Sequence, residues 1–274
     1  MRAIILMAIG PKYEEILAAN SHQFEAYAKR CNAQLEICNL PPDPSMRGHL
    51  FTQKLLLAQQ YHQYEWIAFL DLDILISKNA PSIFDLIQVD KGFGAILDPR
   101  GERRFERANQ RWHRQPALNQ LSTQDCFINK GFSASKDLQG TINGGVWLCR
   151  PALVAELFSD YYRAITKSPE GFAMHEELPM AYLTQTQGLF FSLNEKFNRQ
   201  VIYLISEDGA KFKYFIARLQ KKINKRLQKF LPKYYPFFFP QYCQFINKSL
   251  ENNYIIHFSG GFPIPPSLKN ALRK

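Results

Sequence analysis

The chain has 274 residues, of which 46% are hydrophobic, so it is long enough to enclose one large core. Its five cysteines form no CxxC pair, which argues against a disulfide framework or zinc finger and favours reduced thiols in a cytosolic setting. No segment approaches the ~20 apolar residues of a membrane span. The formal net charge of +10 indicates an anionic partner: nucleic acid, a membrane surface or a phosphorylated substrate.

The first part of the chain alternates between strand and helix patterns. A continuous apolar run over 3–9 predicts a buried strand, and apolar residues at three- to four-residue spacing over 11–31 predict a helix. "QLEICNL" predicts a second strand, and "HLFTQKLLLAQQYHQY" predicts a helix that leads into "WIAFLDLDILI". Strands that alternate with helices indicate a mostly parallel sheet in a layered α/β fold.

The rest of the chain continues this alternation around one irregular stretch. "KNAPSIFDLI" predicts a short helix and "GFGAILD" a strand, whereas 99–140 is polar and basic and predicts a functional loop or a disordered segment. "TINGGVWLCR" and "VIYLIS" predict strands, and "PALVAELFSDYYRAIT" and "HEELPMAYLTQTQ" predict helices. We expect one domain over 1–274.

A basic segment, 209–240, follows. Between Asp208 and Glu251 there is no acidic residue but ten Lys or Arg, and apolar residues recur there at helical spacing. This pattern predicts an amphipathic segment over 211–240 that binds an anionic membrane surface. An ordinary surface helix is the alternative. Single-stranded RNA is a third interpretation, but no RNA-module signature accompanies the charge, so we do not expect a nucleic-acid partner.

Two aspartates interrupt the apolar run "WIAFLDLDILI". In a continuous strand Asp71 and Asp73 point to one side, where two carboxylates can share a divalent cation such as Mn²⁺ or Mg²⁺. A structural acidic pair is the plain alternative. Aspartate-nucleophile phosphatases also carry D-x-D, but there the pair follows the first strand and precedes a Thr, whereas here it precedes Ile74.

Four motifs in order resemble the GT-A-fold glycosyltransferases, particularly the retaining enzymes of the family 8 kind. They are the helix of Lys54 with "WIAFLDLDILI" and "APSIFDL", then "INGGVWLCRP", "HEELPMAYL" and "YIIHFSGG". The resemblance implies a Rossmann-like α/β fold with a mixed, mostly parallel sheet flanked by helices. It also implies an enzyme that transfers sugar from a nucleotide diphosphate donor, with UDP favoured.

The resemblance also implies functional residues. Mn²⁺ or Mg²⁺ would be held by Asp71, Asp73 and His257. The nucleotide-sugar would contact a larger set: Ala8, Ile9, Gly10, Tyr13, Lys54, Asp71, Gly144 and Gly260. Tyr13 would stack on the base, although its helical spacing fits a core-facing residue equally well. An exposed helix Lys is the ordinary alternative for Lys54.

The same resemblance places the catalytic residues Asn143, Glu176 and Glu177 at the donor sugar. Glu176 best matches the residue nearest the anomeric carbon. An Asn amide suits sugar hydroxyls, and glycines let the backbone approach a ligand closely. The alternatives are a β-bulge at "INGG" and helix N-terminal carboxylates favoured by the dipole.

The chain departs from the family pattern at two motifs. Pro263 stands where the family has a phosphate-binding Lys, so Arg residues of 100–114 are alternative phosphate partners. "HEE" lacks the usual Gln. These departures leave the donor sugar open.

The sequence therefore predicts a retaining, metal-dependent transferase acting on a glycan or glycolipid acceptor, cytoplasmic and peripheral at the inner face of the membrane. An inverting transferase with Glu176 or Glu177 as general base is the alternative enzyme. A non-enzymatic membrane- or RNA-binding module is the alternative outside enzymes.

Overall fold

The computed structural model describes residues 1–45, 50–98, 122–166, 176–207, 239–259, 262 and 264–265. Its strands are β1 Arg2–Met7, β2 Gln34–Cys38, β3 Trp66–Leu70, β4 Ile74–Ile76, β5 Phe93–Leu97, β6 Ile142–Cys149, β7 Phe190–Ser192, β8 Arg199–Gln200 and β9 Ile255–His257. Its α-helices are α1 Pro11–Arg30, α2 Leu57–Gln60, α3 Thr123–Ile128, α4 Pro151–Ile165, α5 Glu177–Thr186, α6 Val201–Glu207 and α7 Phe239–Asn252. Short 3₁₀ helices span Leu50–Leu56, Ile83–Leu86 and Glu195–Phe197.

The strands form two sheets. The larger has the order β2-β1-β3-β6-β5-β7, and the smaller has the order β4-β9-β8. In the larger sheet β1 pairs in parallel with β2 and β3, and β5 with β7, while β6 runs antiparallel to β3 and β5. The predicted α/β fold with a mixed, mostly parallel sheet is therefore confirmed.

Helices cover both faces of the larger sheet because its strands are apolar on both sides. In β1, Ala3 and Ile5 belong to the cluster that includes Phe158 of α4, while Ile4 packs in the cluster with Phe24 of α1. All five of these apolar side chains are fully buried, and burying one large aliphatic side chain contributes about 1.5–3 kcal/mol. This two-sided packing fixes the carboxyl end of β3, where the aspartates follow.

The stretch "WIAFLDLDILI" is not one strand, which corrects the sequence prediction. β3 ends at Leu70 in the larger sheet, and β4 starts at Ile74 in the smaller one. The Gln23 side chain of α1 occupies the free edge of β4: its Nε2 donates to the Ile74 carbonyl and its Oε1 accepts from the Ile76 amide, both at 3.0 Å. The two aspartates therefore lie where the chain crosses between sheets.

Other predicted elements also differ. "VIYLIS" forms helix α6 instead of a strand, because Val201 and Ile205, one helical turn apart, pack with Tyr242 and Ile246 of α7. The helix predicted around "HLFTQKLLLAQQYHQY" is mostly a 3₁₀ helix, Leu50–Leu56, followed by the short α2.

Part of the segment predicted to be irregular, 99–140, is ordered. Ser122 and Asp125 form a capping box that starts α3, since each side chain bonds the other's backbone amide. Residues 99–121 and most of 209–240 lie outside the described residues. Within the described part, no helix is both long and apolar enough to cross a bilayer. The five cysteines are buried, and none of them forms a disulfide bond.

Candidate active site

A cavity of about 470 Å³ opens at the carboxyl end of β3. Its walls come from the start of α1, the 3₁₀ helix Leu50–Leu56, the crossing between β3 and β4, the "INGG" strand β6, the start of α5 and the chain after β9. The predicted residues on its lining are Tyr13, Lys54, Asp71, Asp73, Asn143, Glu176, Glu177 and His257. Ligands of α/β sheets bind at this end of the strands, so the location fits a binding site.

Asp71, Asp73 and His257 form one group, here called the Asp–Asp–His cluster. His257 Nε2 lies 3.3 Å from Asp73 Oδ1 and 3.8 Å from Asp71 Oδ2. One ligand atom of each residue lies within 4.8 Å of the other two. The pairing of β4 with β9 brings them together, because His257 is the register partner of Ile74 and the Phe258 amide donates to the Asp73 carbonyl at 2.8 Å.

The cluster fits a divalent cation. Two carboxylates and one imidazole supply oxygen and nitrogen ligands. Asp71, Asp73 and the nearby Glu176 carry three formal negative charges, of which the Lys54 ammonium offsets one. Burial raises the pKa of Asp71 despite Lys54. Burial also favours a raised pKa at Asp73, but the charge and hydrogen bond of His257 together with Lys54 outweigh it and lower that pKa. A doubly charged cation would balance the remaining charge.

Lys54 lies inside the site, not on an exposed helix face. Its Nζ is 2.9 Å from Glu176 Oε1, 3.1 Å from Asp71 Oδ1 and 3.1 Å from the Gly144 carbonyl. Burial favours the neutral amine, but the two carboxylates outweigh it and raise the Lys54 pKa. The Lys54 ammonium, which the sequence predicted to contact the nucleotide, therefore already donates to three protein acceptors.

The glycines of "INGG" allow two side chains to approach β6. A Cβ on Gly144 would lie 2.6 Å from Glu176 Oε1, and one on Gly145 would lie 2.6 Å from His257 Nδ1. The Gly144 amide donates to Glu177 Oε1 at 2.8 Å. The sequence alternative, a bulge, is present nearby, because the register of β5 and β6 shifts between Ala95 and Leu97. Close approach is therefore the physical reason for the glycine pair.

Glu176 and Glu177 stand at the N-terminus of α5, one at the N-cap and one in the first turn. Glu176 is 3% exposed, and within the described part of the chain its Oε2 has no hydrogen-bond partner. Burial and the charge of Glu176 raise the pKa of Glu177 to about 7, against the opposing Gly144 amide. Both residues therefore lie at a helix N-terminus and also line the cavity.

The residues predicted to form a nucleotide-binding turn lie only partly on the cavity wall. Tyr13 is half-buried on the cavity wall, with the Lys12 ammonium 4.9 Å from its ring centre. Gly10 has φ 86° at the start of α1, a left-handed conformation that glycine adopts without strain. Ala8 is buried and its amide donates to the Cys38 carbonyl, so it supports the turn from behind. Ile9 is half-buried in the same turn, and Gly260 lies outside the described residues.

Sequence reasoning missed Asn198. This residue follows the 3₁₀ helix Glu195–Phe197 and is 3% exposed. Its Oδ1 lies 2.9 Å from His257 Nδ1, and its Nδ2 donates to Asn143 Oδ1 at 2.7 Å. Nothing in "NEKFNRQ" distinguishes it from a polar turn residue, so only the structure identifies it.

No family model and no curated protein sequence matches the chain. Solved structures do match. A glycosyltransferase involved in the glycosylation of the major capsid of PBCV-1 aligns with TM-score 0.52 and 11% identity, covering 99% of this chain and 98% of that one. The galactosyltransferase LgtC in complex with donor and acceptor sugar analogs aligns with TM-score 0.52 and 13% identity, covering 99% and 95%.

The chain has the GT-A fold. An active-site mutant of LgtC also aligns with this chain, with TM-score 0.53 and 13% identity over 100% of this chain and 95% of that one. The fold implied by the sequence motifs is thus confirmed. At such identities the likeness concerns the architecture alone and assigns no role to individual residues.

Proposed function

We propose that this chain is a metal-dependent glycosyltransferase that moves a sugar from a nucleotide diphosphate donor to a glycan or lipid-linked acceptor. UDP is the favoured nucleotide, and Mn²⁺ or Mg²⁺ the favoured cation. The observation that carries the proposal is the Asp–Asp–His cluster in the cavity of a GT-A-fold chain. A GT-A neighbour, LgtC, binds donor and acceptor sugar analogs.

In the proposed reaction, Asp71, Asp73 and His257 would hold the cation. When bound, a divalent cation stabilises the negative charge that develops on a departing diphosphate, without a proton transfer. Lys54 forms ion pairs with both Asp71 and Glu176 and so reduces the repulsion between the two carboxylates. Tyr13 would stack on the base at the α1 wall of the cavity.

Glu176 would line the reacting face of the donor sugar. Its buried Oε2 borders the cavity without a partner in the described residues, so it is available to a sugar hydroxyl or to a developing positive charge. Asn143 shares the wall, but the Gly145 amide and Asn198 already donate to its Oδ1. We therefore assign Asn143 to holding the wall in place and Glu176 to the donor.

Retention of anomeric configuration is part of the proposal. The competing inverting reaction needs a base, and Glu177 has a pKa near neutrality that suits one. However, Glu177 Oε1 accepts from the Gly144 amide at 2.8 Å, which ties that oxygen to the wall. The anomeric configuration of the product, read by NMR, distinguishes the two reactions.

The test is donor hydrolysis with Mn²⁺ and a panel of nucleotide sugars. We expect activity in the wild type and its loss in Asp73→Asn, which removes a cluster carboxylate. Asp90→Asn is the matched control, because the Asp90 side chain is 79% exposed and far from the cluster in sequence. Hydrolysis that survives Asp73→Asn would exclude the metal assignment. Calorimetry with UDP and Mn²⁺ separates an enzyme from a binding module, which should give no metal-dependent heat.

Association with an anionic membrane through 211–240 is a separate proposal. It is supported by the charge of this segment, since the chain from 209 to 250 has ten basic and no acidic residues. A lipid-linked acceptor would be presented at such a surface.

A further inference from the structure

His257 has a second ring nitrogen, and two side-chain oxygens face it. His257 Nδ1 lies 2.9 Å from Asn198 Oδ1 and 3.2 Å from Asn143 Oδ1. We propose that Asn198 is a positioning residue that fixes His257 in the tautomer with its proton on Nδ1. Nε2 is then the nitrogen left to face a cation held at the Asp–Asp–His cluster. This inference builds on the metal site of the proposed function.

The proton position follows from one backbone donor. The Gly145 amide lies 3.1 Å from Asn143 Oδ1, and because a backbone N–H only donates, the atom it faces is the amide oxygen. Asn198 approaches that same oxygen at 2.7 Å, so it must present its NH₂ group there. Its own carbonyl oxygen is left facing His257.

Two acceptor oxygens on Nδ1 require a proton on that nitrogen. In the opposite tautomer the Nδ1 lone pair would face the lone pairs of Asn198 Oδ1 at 2.9 Å, which is repulsive. Three residues far apart in the chain thus form one hydrogen-bond chain, in which His257 donates to Asn198 and Asn198 donates to Asn143 Oδ1, where the Gly145 amide also donates.

The consequence lies on the other side of the ring. Nε2 faces Asp73 Oδ1 at 3.3 Å and Asp71 Oδ2 at 3.8 Å. Both carboxylate oxygens are acceptors, so without a cation Nε2 carries a proton as well. Because Nδ1 keeps its proton, Nε2 is the nitrogen that would lose its proton and present a lone pair when a cation is bound. Hydrogen bonds to the second nitrogen of a metal-binding histidine typically change metal affinity about 10- to 100-fold.

The backbone also supports this arrangement. Asn198 directly precedes β8, whose Gln200 is the register partner of His257 in β9. Both Asn198 and His257 are 3% exposed, so water does not readily replace the amide. The position of Asn198 is therefore set by the same small sheet that carries the histidine.

The test reads the tautomer without metal. ¹⁵N NMR of histidine-labelled, metal-free protein at mildly alkaline pH, with the His257 signal assigned by its loss in His257→Ala, should show Nδ1 protonated, alone or together with Nε2. Asn198→Leu should shift the population towards the Nε2–H tautomer. Asn198→Asp keeps an acceptor for Nδ1 and should keep the wild-type tautomer.

Mn²⁺ affinity, measured by EPR of the free ion, is the second readout. We expect Asn198→Leu to weaken binding about 10- to 100-fold, Asn198→Asp to weaken it less, and the exposed Asn252→Leu to leave it unchanged. A wild-type Nδ1 that carries no proton would overturn the inference even if Asn198→Leu failed to fold, and so would unchanged Nδ1 protonation and Mn²⁺ affinity in that variant. A wild type that binds no Mn²⁺ overturns the metal site instead, while the tautomer result still tests Asn198.

Discussion

Lys54 Nζ lies 2.9 Å from Glu176 Oε1, and both residues are almost fully buried. Removing one partner of a buried ion pair leaves an uncompensated charge, so we expect Lys54→Met to destabilise the chain by about 3–5 kcal/mol. The measurement is the free energy of unfolding from urea denaturation.

A double-mutant cycle isolates this pair. Lys54→Met with Glu176→Gln should be less destabilised than Lys54→Met alone, because the second change removes one orphaned charge. Lys29→Met, at an exposed position of α1, is the control and should change stability little. Equal losses in the single and double variants would contradict the pairing.

Glu177 should make stability depend on pH. Its pKa is raised from 4.5 to about 7, so between these values the folded chain holds a proton that the unfolded chain has lost. The Glu177 contribution to the free energy of unfolding is therefore complete below pH 4.5 and is lost as pH rises through 7.

Comparison of the wild type with Glu177→Gln across this pH range measures that contribution. The stability difference between the two should fall with rising pH by an amount on the order of 1–3 kcal/mol. A difference that stays constant with pH would show that Glu177 ionises normally in the folded chain.

Gly145→Ala should disturb His257. The added Cβ would collide with His257 Cε1 and lie 2.6 Å from Nδ1, so the imidazole must move. We expect weaker Mn²⁺ binding by EPR with the fold retained by circular dichroism. Gly140→Ala is the control, because its Cβ would meet Leu97 Cδ2 at an ordinary 3.4 Å. Equal Mn²⁺ affinity in both variants would argue against His257 as a ligand.

Liposome flotation tests the membrane proposal. Changing Lys221, Lys222, Lys225 and Arg226 to Gln should reduce binding to anionic vesicles, since each basic residue near such a surface contributes about 1 kcal/mol. The control replaces four exposed lysines elsewhere, Lys29, Lys78, Lys130 and Lys136, and makes the same change in net charge. Equal flotation on neutral vesicles, or an equal loss in the control, would count against a specific surface.

Much of the fold could be predicted because strand and helix patterns alternate clearly up to the second sheet. The break between Leu70 and Ile74 could not, since both flanking strands are buried and read as one apolar run. Helix α6 was missed because a run of five apolar residues shows no clear period, and its helical form becomes apparent from its packing with α7.

The candidate site shows the same limit. Motif order predicted that Asp73 and His257 meet, and the pairing of β4 with β9 brings them to 3.3 Å. The partners of Lys54 and the role of Asn198 depend on the directions of single side chains. No spacing in the sequence carries that information.

The aspartates of the Asp–Asp–His cluster enter from the first third of the chain, and His257 enters on β9 near its end. During synthesis on a ribosome, Asp71 and Asp73 emerge long before His257, the third member of the cluster, has been added. Strand β9 must also dock beside β4 to deliver it. Ion capture would thus be postponed until the ribosome has passed His257, and a product terminated before that residue would never acquire the complete site.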